Sequence, residues 1–412
     1  MKGKKSLIIV GPALSLSGYG DQTRFAITSL LEGAQYDLYL YNTNWGNSNW
    51  ISRSHPMRQV IDELIEKTTK LKDNFEADIS LQVTYPSEFK MYSAVNIGYT
   101  AGIETTKVDY NWLISSNMMD QILVPSNHSR NVFLETKYEK DSSPEDQKSR
   151  KKAILTINKE PEVVPFPVQY DFSRVRETKV TEQLSKLKTK YNFLTVAQVS
   201  PRKNIFNLIK YFLREFDQNG DVSLTLKLHG KNVSTIDRFE TEEKVYSFIR
   251  EIAPAKKCAI NLLHGELTEP EMASLYSNNK ITHYITASHG EGFGLPVFSA
   301  AAAGLVVVTP FWSGPVDYLN ENSIVPVEFS LENVRQSALS PGVINPDSKW
   351  AHITEDNFRK ALRFSIKNYF SLSKRAKRES EKIRKKYSLL KQTTKFNQTI
   401  NKIIKQKEKN IR

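Results

Sequence analysis

The sequence predicts an α/β fold made of two Rossmann-like domains, and three observations predict it. Short apolar, β-branched runs alternate with helix-periodic segments in two separate series, which is the pattern of parallel sheets covered by helices on both faces. A polar stretch at 173–190 separates the two series. The length of 412 residues exceeds the roughly 100–200 residues that one core usually holds.

The first series opens at 6–10 with Ser-Leu-Ile-Ile-Val, a continuously apolar run expected as a buried parallel strand. A Gly/Pro/Ser loop follows over 11–20. A helix is expected over 21–32, with Asp21 as its cap. Further strands are expected at 37–41, 77–83, 95–99, 121–124 and 163–165, with helices at 58–71 and 130–135 among them. The polar, mixed-charge stretch 139–152 reads as a surface loop. The second series starts with a strand at 192–198 and a helix opened by Asn204. Ile205, Leu208, Ile209, Phe212, Leu213 and Phe216 lie on one face of that helix. Strands at 222–228, 259–263, 281–287 and 305–309 and a helix at 241–252 complete it. Beyond Trp350 the pattern is helical, with one apolar stripe at Ile383, Tyr387 and Leu390 and another at Phe396, Ile400, Ile403 and Ile404. The expected organisation is a first domain at 1–172, a linker at 173–190, a second domain at 191–372 and basic helices at 373–412.

Composition narrows the class. No run of about 18 apolar residues exists, so no transmembrane helix is expected, and the run at 7–10 is too short for a signal peptide. Cys258 is the single cysteine, which excludes an internal disulfide and a cysteine-based metal site, and a cytoplasmic setting is expected. The net charge is +13, and residues 374–412 carry fifteen Lys and Arg against Glu379, Glu381 and Glu408. The body is therefore nearly neutral. The basic tail reads either as a solvated helix or as a surface for an anionic partner, nucleic acid or acidic lipid.

The most informative segment runs from Ser288 to Gly304, where an apolar strand leads into a turn carrying Gly290, Gly292 and Gly294 and then an alanine-rich helix. Glycine lets backbone approach a ligand closely, and the amides at a helix start favour phosphate. Glu291 stands at that turn with a carboxylate able to accept hydrogen bonds from sugar hydroxyls. Two adjacent cations, Arg202 and Lys203, stand at the start of the helix after the 192–198 strand. Such a pair neutralises a leaving diphosphate or is simply a solvated helix start.

Glu291-Gly-Phe-Gly-Leu-Pro-Val-Phe, the small-residue helix, Gly304 and Val306-Val-Val together resemble the donor-site signature of family 4 retaining glycosyltransferases. Val196 to Asn204 and His264-Gly265 through Leu275-Tyr276 resemble two further segments of that family, in the family's order. The resemblance covers roughly 192–319. It implies a GT-B fold, two Rossmann-like domains facing a central cleft, with C-terminal helices crossing back to the first domain. It implies a nucleoside-diphosphate sugar as donor, UDP-linked in the expected case, with no prosthetic group and no metal. Glu291 would hold the donor sugar, and Arg202 and Lys203 would grip the diphosphate. His264, Gly292, Phe293, Gly294 and Leu295 would line the donor, joined from the first domain by Gly18 and Gly20. The sequence departs from the family at Ser299, where a second Glu usually binds the ribose. A hydroxyl there forfeits about 1.5–3 kcal/mol of charge-assisted bonding.

For the acceptor, strand ends of the first domain offer Glu104 and Thr105, in Ile97 to Thr106, and His128, in Pro125 to Arg130. Each reads equally as loop polarity or, for His128, as a capping or buried structural residue. The whole sequence, with Ile97 to Thr106 and Ser126 to Ser129, is also similar to glycosyltransferases encoded by tailed bacteriophages, which would imply a host cytoplasm. The expected reaction moves a hexosyl or pentosyl group to a hydroxyl, with a hydroxymethylated base in phage DNA as one acceptor and DNA held by the basic tail. The alternatives are a saccharide or lipid-linked glycan, with the tail on a membrane surface, and a non-catalytic sugar-nucleotide-binding protein. The sequence leaves the oligomeric state open.

Overall fold

The computed structural model describes residues 4–72, 74–139, 154–172 and 177–411. The chain divides into two compact units. The first comprises Met1–Pro167, Asn333–Lys349 and Leu389–Arg412, and the second Val168–Glu332 and Trp350–Ser388. Among the described residues no helix is long and apolar enough to cross a membrane.

In the first unit the elements are β1 (Lys5–Gly11), α1 (Gly18–Gly33), β2 (Tyr36–Asn42), α2 (Arg58–Thr69), β3 (Ile79–Val83), β4 (Val95–Tyr99), α3 (Tyr110–Met118), β5 (Gln121–Val124), α4 (Asn127–Glu135), β6 (Tyr138–Glu139), β7 (Ile154–Leu155) and β8 (Glu162–Val163). The main sheet runs β2-β1-β3-β4-β5-β8, with every pair parallel. β3 and β4 are buried along their whole length, which explains their unbroken apolar reading. Helix α1 starts earlier than the sequence predicts. Ser17 caps it by accepting from the Gly20 amide, whereas Asp21 sits in the first turn and pairs with Arg24. In the same way Ser126 caps α4, whose first residue, Asn127, lies three residues before the expected start. The loop expected at 139–152 lies, beyond Glu139, outside the described residues.

The second unit holds α5 (Lys179–Ser185), β9 (Tyr191–Gln198), α6 (Ile205–Phe216), β10 (Val222–His229), α7 (Thr235–Ile252), β11 (Ala259–Leu263), α8 (Glu269–Ser277), β12 (His283–Ile285), α9 (Leu295–Ala303), β13 (Val306–Pro310), β14 (Val325–Val327), α10 (Glu355–Lys367) and α11 (Tyr369–Lys386). Its sheet order is β11-β10-β9-β12-β13-β14, again parallel throughout. All six apolar residues of the α6 face are buried in its core. Helix α7 is six residues longer than expected, because Ser234 caps it by accepting from the Asp237 amide. The expected linker is partly helical. In α5, Val180 and Leu184 are buried, and Thr178 and Thr181 form a capping box. Cys258 is buried, which pushes its thiol up to about 11 and keeps it protonated.

The C-terminal helices separate. In α11, Leu372, Ala376, Ser380 and Ile383 are buried within the second unit. The last helix, α12 (Leu389–Ile411), belongs to the first unit, where Phe396, Ile400, Ile403 and Ile404 join its core. Phe396 packs edge-on against Phe25, and the Asn397 side chain donates to the Ser29 carbonyl. Leu390 departs from its expected stripe and is 73% exposed. Ile383 and Tyr387 keep theirs.

Candidate functional site

Strand order in the second sheet reverses between β9 and β12, which are hydrogen-bonded neighbours through His283↔Phe193 and Tyr284↔Leu194. Open α/β sheets bind ligands beyond the carboxyl ends of the strands at such a reversal. Arg202 and Lys203 follow β9, and Glu291 follows β12. This adjacency joins Arg202 and Lys203 with Glu291, 89 and 88 positions away in the chain, in one ion cluster. Arg202 Nη1 lies 3.0 Å from Glu291 Oε2 and also donates to the Gly290 carbonyl at 2.8 Å. Lys203 Nζ bonds Glu291 Oε1, and Ser288 Oγ donates to the same oxygen at 2.7 Å. Glu291 is 8% exposed. Burial opposes its charge, but Lys203 and Arg202 more than offset that and hold its pKa at about 2. The carboxyl is therefore ionised at neutral pH, an acceptor of hydrogen bonds and not an acid.

The glycine turn is braced by Ser313, Gly314 and Tyr318, which no sequence motif marks. The Glu291 amide donates to Ser313 Oγ at 3.0 Å, and the Gly314 amide donates to the Glu291 carbonyl at 2.9 Å. The buried Tyr318 hydroxyl lies 2.9 Å and 3.0 Å from the Phe293 and Gly294 carbonyls. A Cβ on Gly314 would lie 2.2 Å from the Gly292 carbonyl oxygen, so only glycine fits under the turn. Gly294, at φ +83°, adopts the left-handed conformation that ends the turn and starts α9. Leu295 is the first residue of α9. The Phe293 ring packs against Phe298 and Tyr318, so its share of any ligand contact falls to its backbone. Ser299 lies buried on α9, at 4% exposure. His289 stacks on Trp350 at 4.3 Å and its amide donates to the Arg202 carbonyl, tying the two strand ends together.

A second cluster stands at the ends of β10 and β11. Asp237, a residue that no sequence motif marks, accepts from the amides of Gly230 at 2.9 Å and Lys231 at 2.6 Å, and lies 2.8 Å from His264 Nε2. Burial works against its charge, but these hydrogen bonds keep its carboxyl below the ordinary value. One carboxylate thus fixes the spacing of the 230–231 turn and the 264–265 loop. Lys227 donates to the Gly265 carbonyl at 2.7 Å, and burial lowers its pKa to about 8 against the pull of Glu266. Among the described residues no group of three or more His, Cys, Asp or Glu is arranged to hold a metal ion.

In the first unit the candidates fare unequally. Gly18 opens α1 with nothing within 4 Å of where a Cβ would stand, whereas a Cβ on Gly20 would lie 2.0 Å from the Ser15 carbonyl oxygen. Packing alone therefore requires glycine at position 20. Thr105 is 1% exposed and its hydroxyl donates to the Lys107 carbonyl, so its side chain does not face an acceptor. Burial lowers the His128 pKa to about 4, against hydrogen bonds with the backbone of Ile103 and Thr105. His128 is thus a neutral brace for the segment that carries Glu104. Glu104 itself is half-buried.

Residues 177–334 match the family model described as glycosyl transferases group 1, which sets a group 1 glycosyltransferase domain in the second unit over well under half of the chain. No curated protein matches. Solved structures share the two-unit fold over nearly the whole chain. A glycosyltransferase from Rickettsia africae ESF-5 is 15% identical, with a TM-score of 0.60, covering 98% of this chain and 99% of that one. Sucrose-phosphate synthase from Thermosynechococcus elongatus is 11% identical, with a TM-score of 0.61 over 97% and 99%. HepE of Anabaena, solved in complex with UDP and glucose, is 10% identical, with a TM-score of 0.58 over 97% and 100%. At these identities the likeness carries the GT-B fold and no more.

Proposed function

We propose that this protein is a retaining glycosyltransferase that takes a hexosyl or pentosyl group from a nucleoside-diphosphate sugar. The observation that carries the reading is the convergence of Glu291, Arg202 and Lys203 at the strand-order reversal of a group 1 glycosyltransferase domain. In this reading the diphosphate meets Arg202, Lys203 and the start of α9, and Glu291 accepts hydrogen bonds from the sugar hydroxyls. The C1–O bond to the diphosphate breaks as the acceptor oxygen bonds C1 on the same face. The acceptor proton passes to a phosphate oxygen of the leaving group. The two cations stabilise the charge that develops there, and no protein nucleophile is needed. UDP is the nucleotide we assign, a choice supported by the UDP complex of HepE.

For the acceptor we favour a saccharide hydroxyl over a base in DNA. Glu104 follows β4 half-buried, and Arg24 and Lys107, cations of the same unit, pair with Asp21 and Asp347. That setting suits hydroxyls better than phosphodiesters. Titration calorimetry with UDP and GDP, followed by donor turnover with mono- and oligosaccharides and with hydroxymethylated duplex DNA, tests the reading. Binding of UDP without any transfer or donor hydrolysis would leave a sugar-nucleotide-binding protein, and transfer to DNA alone would reverse the acceptor choice.

A further inference from the structure

Helix α11 carries eight Lys and Arg against Glu379 and Glu381, and the donor chemistry uses none of them. Its inner face is accounted for: Leu372, Ala376, Ser380 and Ile383 pack inward, and Arg384 donates to the Ala302 carbonyl at the end of α9. Lys382 pairs with Glu379, and Arg375 donates to the Asn322 carbonyl. Lys374, Lys377, Arg378 and Lys385 remain exposed, with no ion pair among the described residues, and exposed Glu381 is interspersed with them. Phe370, at the start of the helix, is 72% exposed, and Phe364, on the last turn of α10, is 49% exposed. Exposed Lys367 lies between the two phenylalanines in the chain.

We propose that this face of α10 and α11 docks on an anionic lipid surface. Cations alone would suit any polyanion. Exposed Phe370 beside them, and exposed Phe364 on the preceding helix, gain only where they leave water for an apolar medium, which is the pairing found in interfacial helices. The geometry also disfavours base stacking. Lys374 Nζ sits 4.2 Å from the centre of the Phe370 ring and covers one of the two faces on which a nucleobase could stack. At a bilayer the same arrangement sets the ammonium at headgroup level with the ring below it. The inference stands independently of the sugar-transfer reading, because none of these residues belongs to the donor site.

Sedimentation of the full chain with vesicles of phosphatidylcholine, alone or mixed with phosphatidylglycerol, tests it beside duplex DNA at matched salt. Binding is expected to the mixed vesicles only. Replacing Lys374, Lys377 and Arg378 together by Gln should weaken it on the order of a hundred-fold, at about five-fold per cation. The Phe364→Ser/Phe370→Ser variant should weaken it about ten-fold. All of these positions are exposed, and circular dichroism checks that the variants fold. Mixed-vesicle binding that neither variant changes would overturn the proposal, as would binding to neither partner. DNA binding that falls with the cations but ignores the phenylalanines would assign the face to nucleic acid instead.

Discussion

Replacing Glu291 by Gln keeps the shape of the side chain and removes its charge from between Arg202 and Lys203. The folded carboxyl titrates at about 2, some 2.5 units below its ordinary value of 4.5. At about 1.4 kcal/mol per unit this represents about 3 kcal/mol of stability at pH 7. Breaking a buried pair by removing one partner costs a similar 3–5 kcal/mol. The sign follows from the depressed value. The stability is fully present above the unfolded pKa near 4.5 and is lost as pH falls through about 2. Urea denaturation of wild type and Glu291→Gln should therefore differ by about 3 kcal/mol at pH 7 and converge between pH 4.5 and 2. In the same variant the two cations no longer share a carboxylate, so UDP binding should hold or tighten while transfer falls on the order of 10²–10³-fold. A stability difference that ignores pH, or near-normal turnover by the folded variant, would refute the reasoning.

Arg202→Ala and Lys203→Ala should each lower turnover on the order of 10²–10³-fold and weaken UDP binding, and unchanged kinetics in both would reduce the pair to a solvated helix start. Gly20→Ala should destabilise the fold by about 1–3 kcal/mol in urea, because its Cβ meets the Ser15 carbonyl oxygen, whereas Gly18→Ala should stay within about 0.5 kcal/mol. Asp237→Ala should raise the donor KM about ten-fold with kcat little changed, since it frees the 230–231 turn and the 264–265 loop from each other. An unaltered KM would remove Asp237 from the donor site. The His128 imidazole should titrate near pH 4 by NMR, and a value near 6.5 would show that it is not held buried.

Much of the fold is legible in the sequence because its strands are buried on both faces. Ile79–Val83 and Val95–Tyr99 read as apolar runs since helices cover both sides of the sheet. The α6 face was equally plain, six apolar residues at helical spacing with every one in the core. Helix starts were less legible. Ser17, Ser126 and Ser234 are ordinary loop serines in the sequence, and each becomes a cap only through an amide three residues ahead. The basic tail misled as a single unit, because its stripes serve different cores: Ile383 that of the second unit, Phe396 that of the first.

The site was legible in its residue types but not in its assembly. Arg202, Lys203 and Glu291 stand out as two cations at one strand end and a carboxylate at another glycine-rich one. Their meeting depends on β12 pairing with β9 instead of with β11, its predecessor in the chain, and no local pattern encodes that crossover. The supports depend on it too. Ser313, Gly314 and Tyr318 follow β13, the neighbour of β12 on its other side, so the segment that braces the glycine turn is supplied by the next strand in the sheet. Topology thus sets three consecutive strand ends side by side: β9 brings the cations, β12 the carboxylate, and β13 the Ser313–Tyr318 segment that braces the turn carrying the carboxylate. A charge pair with a depressed carboxyl follows from that order of strands. Burial alone would raise the Glu291 pKa, so its depression depends on the two cations that this strand order brings beside it.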